Sequence, residues 1–395
     1  MRFGFTEKEE ALRKELNDFI ATEMDSDWKG AVNEEYGTDE GWEAAQRMSK
    51  KLAARGLLTM SWPKEYGGRD ATRMEHLIYR ETMSYNMVPG CDMGVGGVMW
   101  IGPSLIIFGT DEQKKRHLPG ISSGQTYWCT GYSEPEAGSD MASLKCRAVK
   151  KGDDYIVNGQ KIWCSAAHRA SWCWLATRTD PEVPKHKGIS LFLLDMKTPG
   201  VTVNPLVNIA GEYCNSEVFF DDVRIPKDCL VGEENDGWRC MMRALDFERT
   251  AAIEYIARNR RMLSDILEFS KEAKRNGKPL IENPIVRQKL AEIAIKSEIG
   301  RLMAYNIAWM EDKGLVPSYQ ASMSKTFCAE LLQESSNIGV GLMGLYGQLE
   351  GGTRAPVGGA IEQAYLYTRG DTIAGGTSEI NRIVVAMRGL GLPRG

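Results

Sequence analysis

SLKCRAVKKGDDYIVNGQKIWCSA, residues 143–166, is where the chain changes texture. β-Branched and aromatic residues alternate there with polar ones, and turn residues interrupt them at GDD (152–154) and NGQ (158–160). That spacing predicts hairpins and not helices. The texture continues through WCWLATRTD, GISLFLLDM, VTVNPLV and SEVFFDDVRI. Residues 121–233 are therefore expected to form a middle β domain, a small barrel or sandwich.

On both sides the pattern is helical. Before it lie GWEAAQRMSKKLAARG (41–56), closed by Gly56, and MEHLIYRETMSY (74–85), separated by the breaker-rich loop SWPKEYGGRD (61–70). After it come a proline-free run over 236–273 and a second long helix over 284–312, with Pro284 suited to its first turn. The expected fold class is α+β and multidomain: a helical domain over 1–120, the β domain over 121–233 and a helical domain over 234–395. At 395 residues the chain is too long for one ordinary core.

Hydrophobic residues make up 43% and charged residues 26%, as in globular proteins. The net charge of -4 offers no basic excess for phosphate backbones, so no nucleic-acid partner is expected. No run is long and apolar enough to span a bilayer, so no membrane partner is expected either. The first residues read as a helix, with Thr6 and Glu9 as a capping box, and not as a leader, which predicts a cytoplasmic protein. The nine cysteines include no CxxC pair and the four histidines no i,i+4 pair, so no metal site and no disulfide framework are expected.

Within the β domain, TGYSEPEAGSDMASL (130–144) is a polar loop with hydroxyls at Ser133 and Ser139 and free backbone amides. It suits a planar polar ligand or a phosphate, or is a solvent loop. In QKIWCSAA (160–167), strand periodicity puts Trp163 and Ser165 on one face. That pair could stack on and hydrogen-bond a heteroaromatic ring, or Trp163 could be core.

The two motifs together resemble those of the acyl-CoA dehydrogenase family, whose signature loop is (T/S)EPxAGSD and whose flavin-stacking strand is K(M/I)W(I/T)(T/S). This chain has SEPEAGSD at 133–140 and KIWCS at 161–165. The resemblance runs over essentially the whole chain, through the α–β–α order to an ending, GLGLPRG, common in bacterial members. It implies a C-terminal four-helix bundle, FAD as cofactor, an acyl-CoA substrate, an electron-transfer flavoprotein as acceptor and a homotetramer, although bacterial members of this branch also assemble as mixed tetramers. It also implies that Tyr132 and Ser133 meet the flavin pyrimidine ring, that Trp163 lies against the isoalloxazine with Ser165 near its reactive nitrogen, and that Ser139 reaches the CoA side.

AGGTSEINR (374–382) matches the family's cofactor cradle, with Thr377 and Glu379 at FAD-touching positions. Many members carry their catalytic glutamate just before that motif. Here Gly375 stands in its place on the substrate side and cannot take a proton. A second group, which includes isovaleryl-CoA dehydrogenase, takes the base from a helical LDxER segment, and this chain has LDFER at 245–249. Met241, Leu245, Glu248 and Ala252 fall on one apolar helical stripe. A carboxylate there is either ion-paired or a general base with its pKa raised by burial. The resemblance assigns the base to Glu248 and CoA binding to Asp246 and Arg249.

Some positions depart from the family. Glu136 stands where many members have glycine, KRNGKPL (274–280) replaces an RxxFG stretch that reaches a neighbouring subunit's FAD, and Gly341 replaces a glutamine near the adenine. Asp92, in PGCDMGVGGVMW (89–100), caps the following helix or faces the acyl pocket, where it would bind a polar tail or serve as a second base. The rival functions are a flavin oxidase or monooxygenase on the same fold, and a catalytically silent subunit.

Overall fold

The computed structural model describes residues 4–24, 28, 34–91, 96–246 and 252–393. In chain order its helices are α1 (Glu7–Glu23), α2 (Glu34–Gly37), α3 (Asp39–Ala54), α4 (Arg73–Tyr85), α5 (Gly102–Phe108), α6 (Asp111–Ser122), α7 (Gly237–Asp246), α8 (Ala252–Glu272), α9 (Pro284–Asp312), α10 (Tyr319–Met343), α11 (Ala360–Asp371) and α12 (Ser378–Val384). The strands of the large sheet are β1 (Trp128–Gly131), β2 (Arg147–Lys151), β3 (Asp154–Ser165), β4 (Trp172–Arg178), β5 (Ile189–Asp195), β6 (Val201–Leu206), β7 (Asn215–Pro226) and β8 (Leu230–Val231), and β9 (Lys274–Arg275) and β10 (Lys278–Pro279) form a two-stranded one.

Local chemistry sets many of these ends. Thr6 accepts from the Glu9 N–H and Glu9 from the Thr6 N–H, closing the expected capping box. Asn283 caps α9, with Pro284 at its first position. Gly152, with φ +65°, opens the β2–β3 turn as expected. NGQ (158–160) is not a turn. It lies inside the continuous strand β3, where the register against β7 shifts between Val157 and Gly159. Opposite it, Asp222 takes φ +48°, and its N–H donates to Asn158 Oδ1 at 2.9 Å, so a bulge absorbs what looked like a hairpin.

By packing, the chain forms two compact units that are not continuous in sequence. One comprises residues 1–32, 72–88 and 249–395. In it α8, α9, α10 and α11 pack as the four-helix bundle, around Met262, Ile266, Leu290, Leu332 and Ile361. α4 joins them by placing Leu77 against Ile253, Ala304 and Ala308. Beside that apolar seam, buried Glu81 accepts from Arg260 Nη1 at 2.8 Å, from Arg301 Nε at 2.6 Å and from the Tyr305 hydroxyl.

The other unit comprises residues 33–71 and 89–248. Its strands form one network in the order β6-β7-β3-β2-β4-β5-β8, with β1 parallel to β4. The β2–β4 pair is also parallel, and the remaining pairs are antiparallel. α6 is tied to the β8 entrance by Gln113, whose Nε2 donates to the carbonyls of Asp228 (2.7 Å) and Leu230 (2.8 Å). All nine cysteines are free. Among the described residues no helix is long and apolar enough to cross a membrane, and no cluster of three potential metal ligands occurs.

Buried His76 in α4 has its pKa pushed down to about 3, first by desolvation and then by Arg80 and Arg73. The unfolded chain, with an ordinary histidine, binds a proton that the folded chain refuses, so stability falls as pH drops below about 6.5. Between about pH 7 and about pH 5 this one group should cost about 2 kcal/mol. Denaturant midpoints at both pH values should show that His76→Gln removes a loss of this size. An equal acid loss in wild type and variant would refute it.

Candidate functional site

The signature loop leaves β1 at Gly131 and returns through Lys145 and Cys146 to β2. Its first turn closes on itself: the N–H groups of Glu134 and Ala137 donate to each other's carbonyls. The Tyr132 hydroxyl accepts from Trp174 Nε1 at 2.8 Å, and the Ser133 carbonyl accepts from the Ile162 N–H at 2.9 Å. The loop therefore lies directly beside the KIWCS segment. Ser139 is exposed.

In that segment a second β-bulge falls between Lys161 and Cys164. Trp163 takes φ +60° there, a left-handed conformation that bulky residues rarely adopt. Its side chain is 61% exposed, so it is not a core tryptophan. Ser165 shares the exposed side and donates to Asn215 Oδ1 at 3.2 Å, while Cys164 between them is fully buried. An aromatic face and a hydroxyl thus stand together beside a loop rich in polar groups. A strained, outward tryptophan costs about 1–3 kcal/mol and persists only where its surroundings over-determine it.

Three residues that organise this edge were not singled out from the sequence. Lys161 is fully buried and ion-paired to Glu134 at 2.7 Å. Arg178, also buried, donates to the carbonyls of Ala142 (2.6 Å) and Lys185 (2.6 Å), which fixes the far half of the loop. Simple alternation would put Lys161 on the outer face with Trp163 and Ser165. The bulge turns it inward, and the signal available in sequence was its place as the first residue of KIWCS. Glu136 forms an ion pair with Lys145 at 2.5 Å, both 76% exposed, so it is a surface staple of little energetic weight.

The AGGTSEINR segment (374–382) belongs to the other unit. Gly375 and Gly376 have φ +63° and +86°, and a Cβ on Gly376 would stand 3.0 Å from Asn381 Nδ2. Lys325 donates to the carbonyls of Asp371 (3.0 Å) and Gly376 (2.8 Å), and Asn381 Nδ2 also donates to the Gly376 carbonyl at 2.8 Å. Thr377 caps α12, accepting from the Ile380 N–H at 3.2 Å. Glu379 is exposed, and its carboxyl lies below the ordinary glutamate range, chiefly through its own backbone N–H and then Thr377. KRNGKPL forms a tight hairpin with Asn276 and Gly277 in left-handed conformations and Lys274, Arg275 and Lys278 exposed. Glu248, Arg249 and Asp92, and the side chain of Asp246, lie outside the described residues.

Comparison with known proteins agrees with this architecture. Three family models match in succession: the acyl-CoA dehydrogenase N-terminal domain over residues 6–125, the middle domain over 129–223 and the C-terminal domain over 235–390. The acyl-CoA dehydrogenase IpdE1 of Mycobacterium tuberculosis is 36% identical over 362 residues, covering 90% of each chain. A solved structure described as the Tcur3481-Tcur3483 steroid ACAD aligns with a TM-score of 0.90 at 32% identity, covering 100% of both chains. The ChsE4-ChsE5 complex from Mycobacterium tuberculosis aligns at 0.88 and 33% identity, again over 100% of both. With this fold and these relatives, the chain belongs to the acyl-CoA dehydrogenase family and is an acyl-CoA dehydrogenase.

Proposed function

We propose that the chain removes hydrogen from the α and β carbons of an acyl-CoA thioester, with FAD as its cofactor and an electron-transfer flavoprotein as the final acceptor. The observation that carries the reading is the strained, outward Trp163 beside the polar 132–146 loop. These residues fit a flavin. Trp163 offers a stacking face, Ser165 a hydroxyl, and the Ser133 N–H has no acceptor within the described chain. In the other unit Gly375 and Gly376 present bare backbone, and Thr377 and Glu379 beside them are read as further FAD-touching positions. FAD, when bound, supplies the hydride acceptor.

The chain's own residues do the rest. Glu248 takes the proton from the carbon next to the thioester carbonyl. Asp246, Arg249 and Ser139 hold the CoA portion, and Gly375 leaves the other base position empty. A backbone amide donating to the thioester oxygen stabilises the negative charge that develops there. The acyl group is read as bulky and cyclic, which the likeness to a steroid ACAD supports. The tetramer is read as mixed, supported by the two-chain relatives and by the exposed hairpin at 274–279 that replaces RxxFG. The reaction is read as cytoplasmic.

Anaerobic titration of the purified protein with straight, branched and cyclic acyl-CoAs tests this. Cyclic thioesters are expected to bleach the flavin band. A yellow protein that reacts only with oxygen would favour an oxidase, and a colourless one that gains colour only with a second chain would favour a silent subunit.

A further inference from the structure

The ammonium of Lys161 is the most completely buried charge beside the loop. Nζ donates to Glu134 Oε1 at 2.7 Å and to the Tyr132 carbonyl at 3.1 Å. The Glu134 carboxylate also accepts from the backbone N–H groups of Lys145 (2.6 Å) and Cys146 (2.9 Å). One ion pair therefore holds both ends of the 132–146 loop.

The described peptide bonds contain no cis form. In a trans peptide the C=O and N–H of one unit point in opposite directions. The Tyr132 carbonyl points inward at the ammonium, so the Ser133 N–H points outward. Among the described residues that N–H has no acceptor, although the Ser133 carbonyl is satisfied. A cation on the carbonyl oxygen draws electron density through the peptide and strengthens its N–H as a donor. Glu134 does not cancel this. Its charge is spread over three donors, while Lys161 reaches the Tyr132 oxygen directly.

We propose that Lys161 is a positioning residue that aims and polarises the Tyr132–Ser133 peptide, so that the Ser133 N–H carries part of a buried positive charge to the edge of the flavin that gains electron density on reduction. This rests on the FAD reading of the same site. The effect is on the balance between oxidised and reduced cofactor, and not only on whether the loop is held.

The test is the reduction potential of the holoenzyme, measured spectroelectrochemically in wild type, Lys161→Arg, Lys161→Met and the double variant Lys161→Met with Glu134→Gln. The double variant leaves no unpaired buried charge, so it remains informative if the single one folds poorly. Both Met variants are expected to disfavour the reduced form about tenfold, which is about 30 mV for a two-electron couple. The Arg variant, which keeps the cation, should stay near wild type. If FAD dissociates from a Met variant, the ratio of its affinities for oxidised and reduced FAD gives the same shift. Met variants with wild-type potential, or with no affinity for either form, would overturn the proposal and leave Lys161 as a structural clasp. A wild-type protein that binds no FAD would instead overturn the reading of the site.

Discussion

Glu248→Gln is expected to slow the bleaching of the flavin by a good acyl-CoA by about 10²–10⁴-fold, the usual weight of a positioned general base. Glutamine keeps the size and hydrogen-bonding shape but cannot accept the proton. FAD content, visible spectrum and affinity for the unsaturated product should stay near wild type. The case rests on the sequence: LDFER at 245–249 puts Glu248 at helical spacing from Met241, Leu245 and Ala252, and Gly375 cannot take a proton. Burial of a carboxylate raises its pKa, which would match it better to a weakly acidic carbon. Rapid-reaction kinetics under anaerobic conditions measures the step directly. A rate within a few-fold of wild type would make Glu248 an ion-pairing residue and send the search for the base elsewhere.

Glu81→Leu is expected to be the most damaging single change to stability in the helical unit, costing about 3–5 kcal/mol. The carboxylate is the shared acceptor of Arg260, Arg301 and Tyr305, so among the described residues its removal leaves the two arginines with only the longer Glu298 ion pairs, at 4.0 and 3.9 Å, beside a buried apolar seam. Burial by itself would raise the Glu81 pKa, but Arg301, Tyr305 and Arg260 outweigh it and hold it below the ordinary value. The unfolded chain then binds the proton more readily than the folded one. The stabilisation is present above the ordinary glutamate pKa and is lost as pH falls through the lower, folded value. Denaturant midpoints at neutral pH should show the loss, and the variant should lack this part of the acid dependence. A loss under about 1 kcal/mol would mean that the arginines find water or other acceptors.

Much of this protein was legible locally. The capping box at Thr6, the span of α9 from Pro284 to Asp312 and the β texture after residue 121 all follow from contacts a few residues apart. Such contacts are written in the order of the chain. The motif residues were legible for the same reason: SEPEAGSD and KIWCS are contiguous strings. Both bulges in β3 escaped this reading. Each depends on a partner strand some fifty or more residues away, which decides whether a glycine is a turn or a register shift.

By itself the sequence determined the α–β–α order, the family and the short segments at which chemistry is to be sought. Tertiary structure alone decided that α1 and α4 fall in the unit of the C-terminal helices while α3 falls in the unit of the strands. It also decided that Lys161 turns inward to Glu134 while Trp163 turns out in a left-handed conformation. The reason is physical. Periodicity assigns a side chain to a face only while the hydrogen-bond ladder keeps its register, and one extra residue in a ladder, set by strands distant in sequence, exchanges inside for outside.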